Sequence, residues 1–282
     1  MTRTSAAPYG SDRQGTPPRV LAITSGKGGV GKTNIVTNLA YSLARKGKKV
    51  LVLDADLNLA NVDVLLGLTP KFNLHHVLLG EKRLRDILVT APGGFQILPA
   101  SSGIMELAEL SEEQKLFFLS EISALGNSID IMLIDTAAGI NNNVIYFTLA
   151  AQEKIIVLTP EPTSLTDAYA MIKVLSSLHD VKRFRILINS AHTEKEALAV
   201  FRQLTLVADR FLGSLSLDYL GFIPYDIKLP QSVRAQRLVV ELSPRSTVSG
   251  KFFQLADHLI QEKPDTQTDG NIKFFWKDLF KL

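Results

Sequence analysis

Apolar residues fall along this chain in short, unbroken runs. VLAIT at 20–24, KVLVLD at 49–54, FQILP at 95–99, IMLID at 131–135, KIIVLT at 154–159, FRILIN at 184–189 and YLGFI at 219–223 each read as a strand. Continuous apolarity, rather than alternation, suits strands covered on both faces, as in a parallel sheet. Between the runs the period lengthens. In 33–46, Ile35, Val36, Leu39, Ala40 and Leu43 form one helical stripe, with Gly47 placed to end it. Ser111 and Gln114 make a capping box before LFFLSEISAL, predicting a helix over 111–125, and further helices fit 164–178, 194–212 and 246–261. Strand alternating with helix predicts an α/β fold over 19–261: a doubly wound, mainly parallel sheet with helices on both faces. Its ligand site would lie at the carboxyl ends of the strands. There is no internal repeat.

Both ends break this pattern. Residues 1–18 are rich in Ser, Thr, Pro and Gly and read as a flexible extension, and 262–270 (EKPDTQTDG) read as a linker. On a helix, the last stretch, NIKFFWKDLFKL at 271–282, aligns Ile272, Phe275, Trp276 and Leu279, with Phe280 widening the apolar side. Lys273, Lys277 and Lys281 fall on another face. Too short to span a bilayer, such a segment matches an amphipathic helix that folds on a membrane surface. The plainer alternative is a tail packed on its own domain.

Composition narrows the chemistry. The 282 residues carry 31 Lys+Arg against 28 Asp+Glu, a net charge of only +3, which gives no reason to expect specific nucleic-acid binding. There is no cysteine, which removes disulfides, thiolate catalysis and Cys-ligated zinc or iron–sulfur clusters. The five histidines lack H-E-x-x-H spacing and the serines lack a G-x-S-x-G elbow. With no spanning apolar run and no signal-peptide pattern, the chain reads as cytoplasmic, attached to the inner face of the cell membrane only peripherally, through its tail.

The positive signal is GKGGVGKT at 26–33, a G-x-x-x-x-G-K-[ST] loop directly after the first strand and directly before the first helix. Its glycines let backbone N–H groups turn toward phosphate oxygens, and the new helix adds its positive end. Gly28, Gly29, Val30, Gly31, Lys32, Thr33 and Asn34 are therefore candidate nucleotide-binding residues. Lys32 would serve the β and γ phosphates, and the Thr33 hydroxyl Mg²⁺. LVLDADLNLAN ends the second run with Asp54 and Asp56, whose period-2 spacing puts both on one side of an extended strand end. IMLIDTAAGI delivers Asp135 to the sheet edge, where it would help hold Mg²⁺, and Gly139 would approach the γ-phosphate. A strand-end aspartate that caps a nearby loop or helix remains the plain alternative for each.

GKGGVGKT resembles the deviant Walker A motif of the MinD/ParA-type ATPases, and the resemblance spans 19–262. It implies an ATP- and Mg²⁺-dependent homodimer in which Lys27 crosses to the partner's phosphates. It also implies that Asp56 positions the attacking water, with Asp54 in support, and that both stand with Thr33 and Asp135 around the Mg²⁺. Asn189 would hydrogen-bond the adenine, with Pro224, Tyr225 and Asp226 lining it; spacing alone gives these four no base-binding role. DADLNLANVDVLLGL at 54–68, DTAAGI, and GFIPYDIKLPQSVRAQRLVVELSP at 221–244 look most like the flagellar-number branch of the family, FlhG (also called FleN or YlxH). Asn58 departs from that branch, where Gly is more usual. This resemblance implies an ATPase of slow intrinsic turnover that regulates flagellar number or placement. Its partners would be the flagellar GTPase FlhF and basal-body or transcription-regulator proteins. A MinD-like division-site ATPase, or a nucleotide-gated adaptor with little hydrolysis, are the alternatives.

Overall fold

The seven apolar runs all become strands of one sheet. The structure, a computed structural model, describes residues 18–56, 62–99, 117, 120, 121, 124, 125, 128–213 and 215–262. The expectations placed on 1–17, on most of 111–125 and on 263–282, including the membrane residues Ile272 to Phe280, lie outside the described residues.

In chain order the described elements are β1 (Arg19–Ser25), α1 (Lys32–Arg45), β2 (Val50–Ala55), α2 (Val62–Leu66), α3 (Leu74–Leu78) and α4 (Leu84–Ile87). There follow β3 (Val89–Thr90), β4 (Gln96–Leu98), β5 (Ile131–Ala138), α5 (Asn142–Ala150), β6 (Glu153–Leu158) and α6 (Pro162–His179). The remainder are β7 (Arg183–Ala191), α7 (Glu194–Leu212), β8 (Ser216–Pro224), α8 (Lys228–Arg234), α9 (Val239–Leu242) and α10 (Thr247–Gln261). The strand order is β3-β4-β2-β5-β1-β6-β7-β8, parallel except for the β3–β4 pair.

The unbroken apolar runs have a direct structural cause. Along β1, Leu21 and Ile23 join a core with α1 and α10, while Val20 and Ala22 join the opposite one. Along β5, Ile131 and Leu133 face the first side, and Met132 and Ile134 the second. Under β6 and β7 the second side continues as a core with α6 and α7 that includes Ile156, Ile186 and Met171. Both faces are dry along the middle of β1, β2 and β5, which stay apolar until the carboxyl end. That is where Ser25, Asp54 and Asp135 appear, as Asn189 does on β7.

Helix ends carry the local signals that set them. Gly47 follows α1 with φ +82, the left-handed conformation a terminating glycine supplies. Asn141, Thr193 and Ser246 accept the N–H groups of Val144, Glu196 and Ser249 at 3.0, 3.1 and 3.3 Å, starting α5, α7 and α10. Sequence periodicity misses α5, because the face opposite buried Val144, Ile145, Phe147 and Thr148 also carries apolar Leu149 and Ala150 and the ring of Tyr146, which blurs the stripe. It also misses β3, a two-residue antiparallel edge.

Candidate functional site

β1 ends in Ser25 at the middle of the sheet, flanked by β5 and β6, and the chain then turns through 26–31 into α1. Two positions in this turn require glycine. A Cβ on Gly26 would meet the Asp167 carbonyl oxygen at 2.0 Å, because α6 packs its backbone directly on the loop. Gly31 has φ +93 and a Cβ there would lie 2.5 Å from Asn189 Nδ2. Gly28 and Gly29 are exposed, and Val30 is buried. No side chain caps α1 and no acidic residue lies in its first turn, so this positive helix end is left for a ligand.

Lys32 is buried, and its Nζ donates to the Ser25 hydroxyl at 2.8 Å. Burial lowers its pKa, opposed by the charges of Asp135 and Asp56. Asp135 pairs in register with Ile23 of β1 and Asp54 of β2 and is 1% exposed. Both of its carboxylate oxygens are sealed from solvent with no hydrogen-bond partner. Burial pushes its pKa up to about 7, opposed by the Thr33 hydroxyl, which acts from outside normal hydrogen-bond geometry. A buried carboxylate without a donor is costly. One placed beside a P-loop lysine and threonine fits a hard cation with oxygen ligands. Among the described residues no group of three or more His, Cys, Asp or Glu could hold a metal alone. Thr33 and Asp135 are the side chains here that would hold such a cation.

Asp54 and Asp56 separate in role. Asp54 is buried and accepts the N–H groups of Asp56 at 3.2 Å and Val62 at 3.1 Å, so it ties together the two ends of the 57–61 segment. Asp56 is half-buried and within electrostatic reach of Lys32 and Asp135. Gly139, with φ +92, donates its N–H to the Ser25 carbonyl at 3.0 Å, which fixes the segment after β5 against the loop.

Lys27 is half-exposed, with Nζ 2.7 Å from Glu161 Oε2 and 3.0 Å from Thr163 Oγ1 at the start of α6. Sequence reasoning named neither partner. The only available signal was a helix start, since Glu161 precedes a proline at the first position of α6. Asn189 is buried at the end of β7 and donates to the Val30 carbonyl at 2.6 Å. Beyond it, the Tyr225 N–H bonds the Ala191 carbonyl at 2.9 Å, and the His192 and Tyr225 rings lie 5.2 Å apart. Asp226 turns back to accept the Lys228 N–H at 2.9 Å. Loop, carboxylates and ring pair thus share the carboxyl edge of the sheet.

Volume alone does not mark this site. A cavity of about 720 Å³ lies at the opposite, amino edge, lined by Arg19, Glu153, Arg185, His258 and Glu262 among others. Its arginines are already satisfied. Arg19 bonds both oxygens of Glu153 and the Leu259 carbonyl, and Arg185 bonds Glu153 at 2.9 Å and Glu262 at 2.6 Å.

A family model described as an AAA domain matches residues 18–188. The chain is 47% identical over 259 residues to the antiactivator FleN of Pseudomonas aeruginosa, covering 92% of each chain. It is 36% identical to the flagellum site-determining protein YlxH of Helicobacter pylori, covering 93% of this chain and 90% of that one. Among solved structures, the septum site-determining protein MinD complexed with Mg-ADP, from Pyrococcus horikoshii, superposes with a TM-score of 0.66. It is 26% identical, and the match covers 86% of this chain and 96% of that one.

Proposed function

We propose, from the premise that the chain belongs to the MinD/ParA-type P-loop ATPases and to their flagellar-number branch, that it is an ATP-driven switch setting flagellar number or placement. Its relatives act as an antiactivator and as a flagellum site-determining protein, which supports this reading. The observation that carries the nucleotide chemistry is the orphaned Asp135 carboxylate, set beside Lys32 and Thr33 at the uncapped start of α1.

Loop N–H groups and Lys32 bind the phosphates, Lys32 leaving the Ser25 hydroxyl to do so. Thr33 and Asp135 hold Mg²⁺, which when bound neutralises charge developing on the transferred phosphoryl group. Asp56 orients the attacking water, and Asp54 supports it by accepting the Asp56 backbone N–H. Asn189, Pro224, Tyr225 and Asp226 receive the adenine, and Lys27 leaves Glu161 to complete the partner's site in an ATP-bound homodimer. Hydrolysis is slow in the isolated protein, because phosphoryl transfer depends on having every positioning group assembled.

The tail at 271–282 brings the dimer to the cytoplasmic membrane face, where FlhF and basal-body or transcription-regulator proteins are its partners. Two tails in a dimer bind more firmly than one. MinD relatives such as that of Synechocystis, 32% identical over 249 residues, favour a second reading as a division-site ATPase. Binding to FlhF rather than to a MinC-type protein separates the two. The central test is mass in solution with ATP and with ADP. D56A, which binds but does not hydrolyse, should accumulate as a dimer in ATP; a monomer under those conditions overturns the mechanism.

A further inference from the structure

Asn189 has a partner that base recognition does not require. The residue is 6% exposed, and its Nδ2 donates to the Val30 carbonyl at 2.6 Å, inside the phosphate loop. The opening it occupies exists because Gly31 has no side chain: a Cβ there would stand 2.5 Å from the same nitrogen. Val30 is itself 3% exposed, so water is not at hand to replace the bond. A peptide unit is planar and trans, so its carbonyl and the following N–H point in opposite directions. Holding the Val30 carbonyl toward Asn189 therefore turns the Gly31 N–H the other way. A loop that binds phosphate through its N–H groups must keep its carbonyls outward, because one flipped peptide would present oxygen to an anion.

We propose that Asn189 is a positioning residue for the phosphate loop, and that its amide locks the Val30–Gly31 peptide in the anion-binding orientation whether or not a base is bound. This rests on the reading of 26–33 as the phosphate site and adds to it a role for Asn189 that needs no adenine.

A ligand without a base separates the two roles. Mg²⁺–tripolyphosphate and Mg·ATP are each competed against a fluorescent ATP analogue on the wild-type protein, N189A and N189D, with ligand-free melting curves to confirm folding. A loop-positioning role predicts that N189A weakens both ligands by a similar factor, on the order of tenfold for one buried hydrogen bond. In N189D an acceptor faces the Val30 oxygen, so the loss is larger near neutral pH. Protonating the introduced carboxyl restores a donor, so the N189D to wild-type affinity ratio for tripolyphosphate rises as pH falls. Dividing by wild type cancels the titration of Asp135. Loss of ATP binding with tripolyphosphate unchanged reduces Asn189 to a base contact and overturns the proposal, as does a pH-independent ratio. Should the wild-type protein bind neither ligand, the phosphate-site reading falls first and takes this role with it.

Discussion

The two edges of the central sheet are built from the same kinds of residue and finished in opposite ways. At the amino edge, Arg19, Glu153, Arg185 and Glu262 satisfy one another. At the carboxyl edge, Asp135 is more deeply buried and has no donor, Lys32 is turned back onto the serine that ends β1, and α1 begins without a cap. Buried charge that is paired holds a structure together; buried charge left over is held there for something else. The contrast locates the ligand better than volume does, since the large cavity lies at the paired edge.

The widest separation between the edges should appear when one carboxylate is removed from each. Burial pushes the Glu153 pKa up, but the hydrogen bonds and charges of Arg19 and Arg185 outweigh it and hold it below the usual 4.5. E153A removes the carboxylate shared by two buried guanidinium groups, leaving them Glu262 and the Leu259 carbonyl. It should destabilise the protein by up to about 3–5 kcal/mol, the range for breaking a buried pair. Denaturant unfolding at pH 7 measures it. Because the folded pKa is depressed, the contribution of Glu153 is present above its unfolded value and is lost as pH falls through the folded one.

D135N should act with the opposite sign. A rise from 3.8 to about 7 means that the folded protein binds this proton more tightly than the unfolded chain does. Stability of the ligand-free protein therefore decreases as pH rises from about 4 to about 7, and a shift of that size sets a ceiling of about 4 kcal/mol. D135N, neutral throughout, should flatten this dependence, raise ligand-free stability at pH 8 and abolish Mg·ATP binding. Equal destabilisation by E153A and D135N at pH 8 would erase the distinction between the edges.

The same contrast decides how much of the molecule is legible in its sequence. Strands came through because both faces are dry, so IMLID and VLAIT stay apolar until the exact residues that carry chemistry. α5 was hidden by apolar residues on its outer as well as its inner face, and β3 by having two residues only. At the site, GKGGVGKT and Asp135 are legible because local geometry dictates them. The partners of Lys27 and Asn189 are not, since Glu161 and Val30 are 134 and 159 positions away in the chain and meet them only through strand order. Asp54 shows what spacing leaves out: its oxygens accept the backbone N–H groups of Asp56 and Val62, a role that strand periodicity does not reveal.

Lys27 sharpens the comparison from the weak end. It sits at the carboxyl edge but, unlike Asp135, has partners, and the Lys27–Glu161 pair is solvent-reached, with side chains 38% and 62% exposed. Such a pair contributes only about 0–1 kcal/mol, so K27A should leave the melting temperature and the affinity for Mg·ATP nearly unchanged. Its stability effect is therefore the smallest of the three substitutions. Its assembly effect should be complete: if Lys27 crosses to the partner's phosphates, K27A stays monomeric in ATP by sedimentation, under conditions where D56A dimerises. A dimer that forms normally in K27A would confine this lysine to its own chain. The charges left waiting at the carboxyl edge, Asp135 and Lys32, would then both serve a ligand bound within one chain rather than a second protomer.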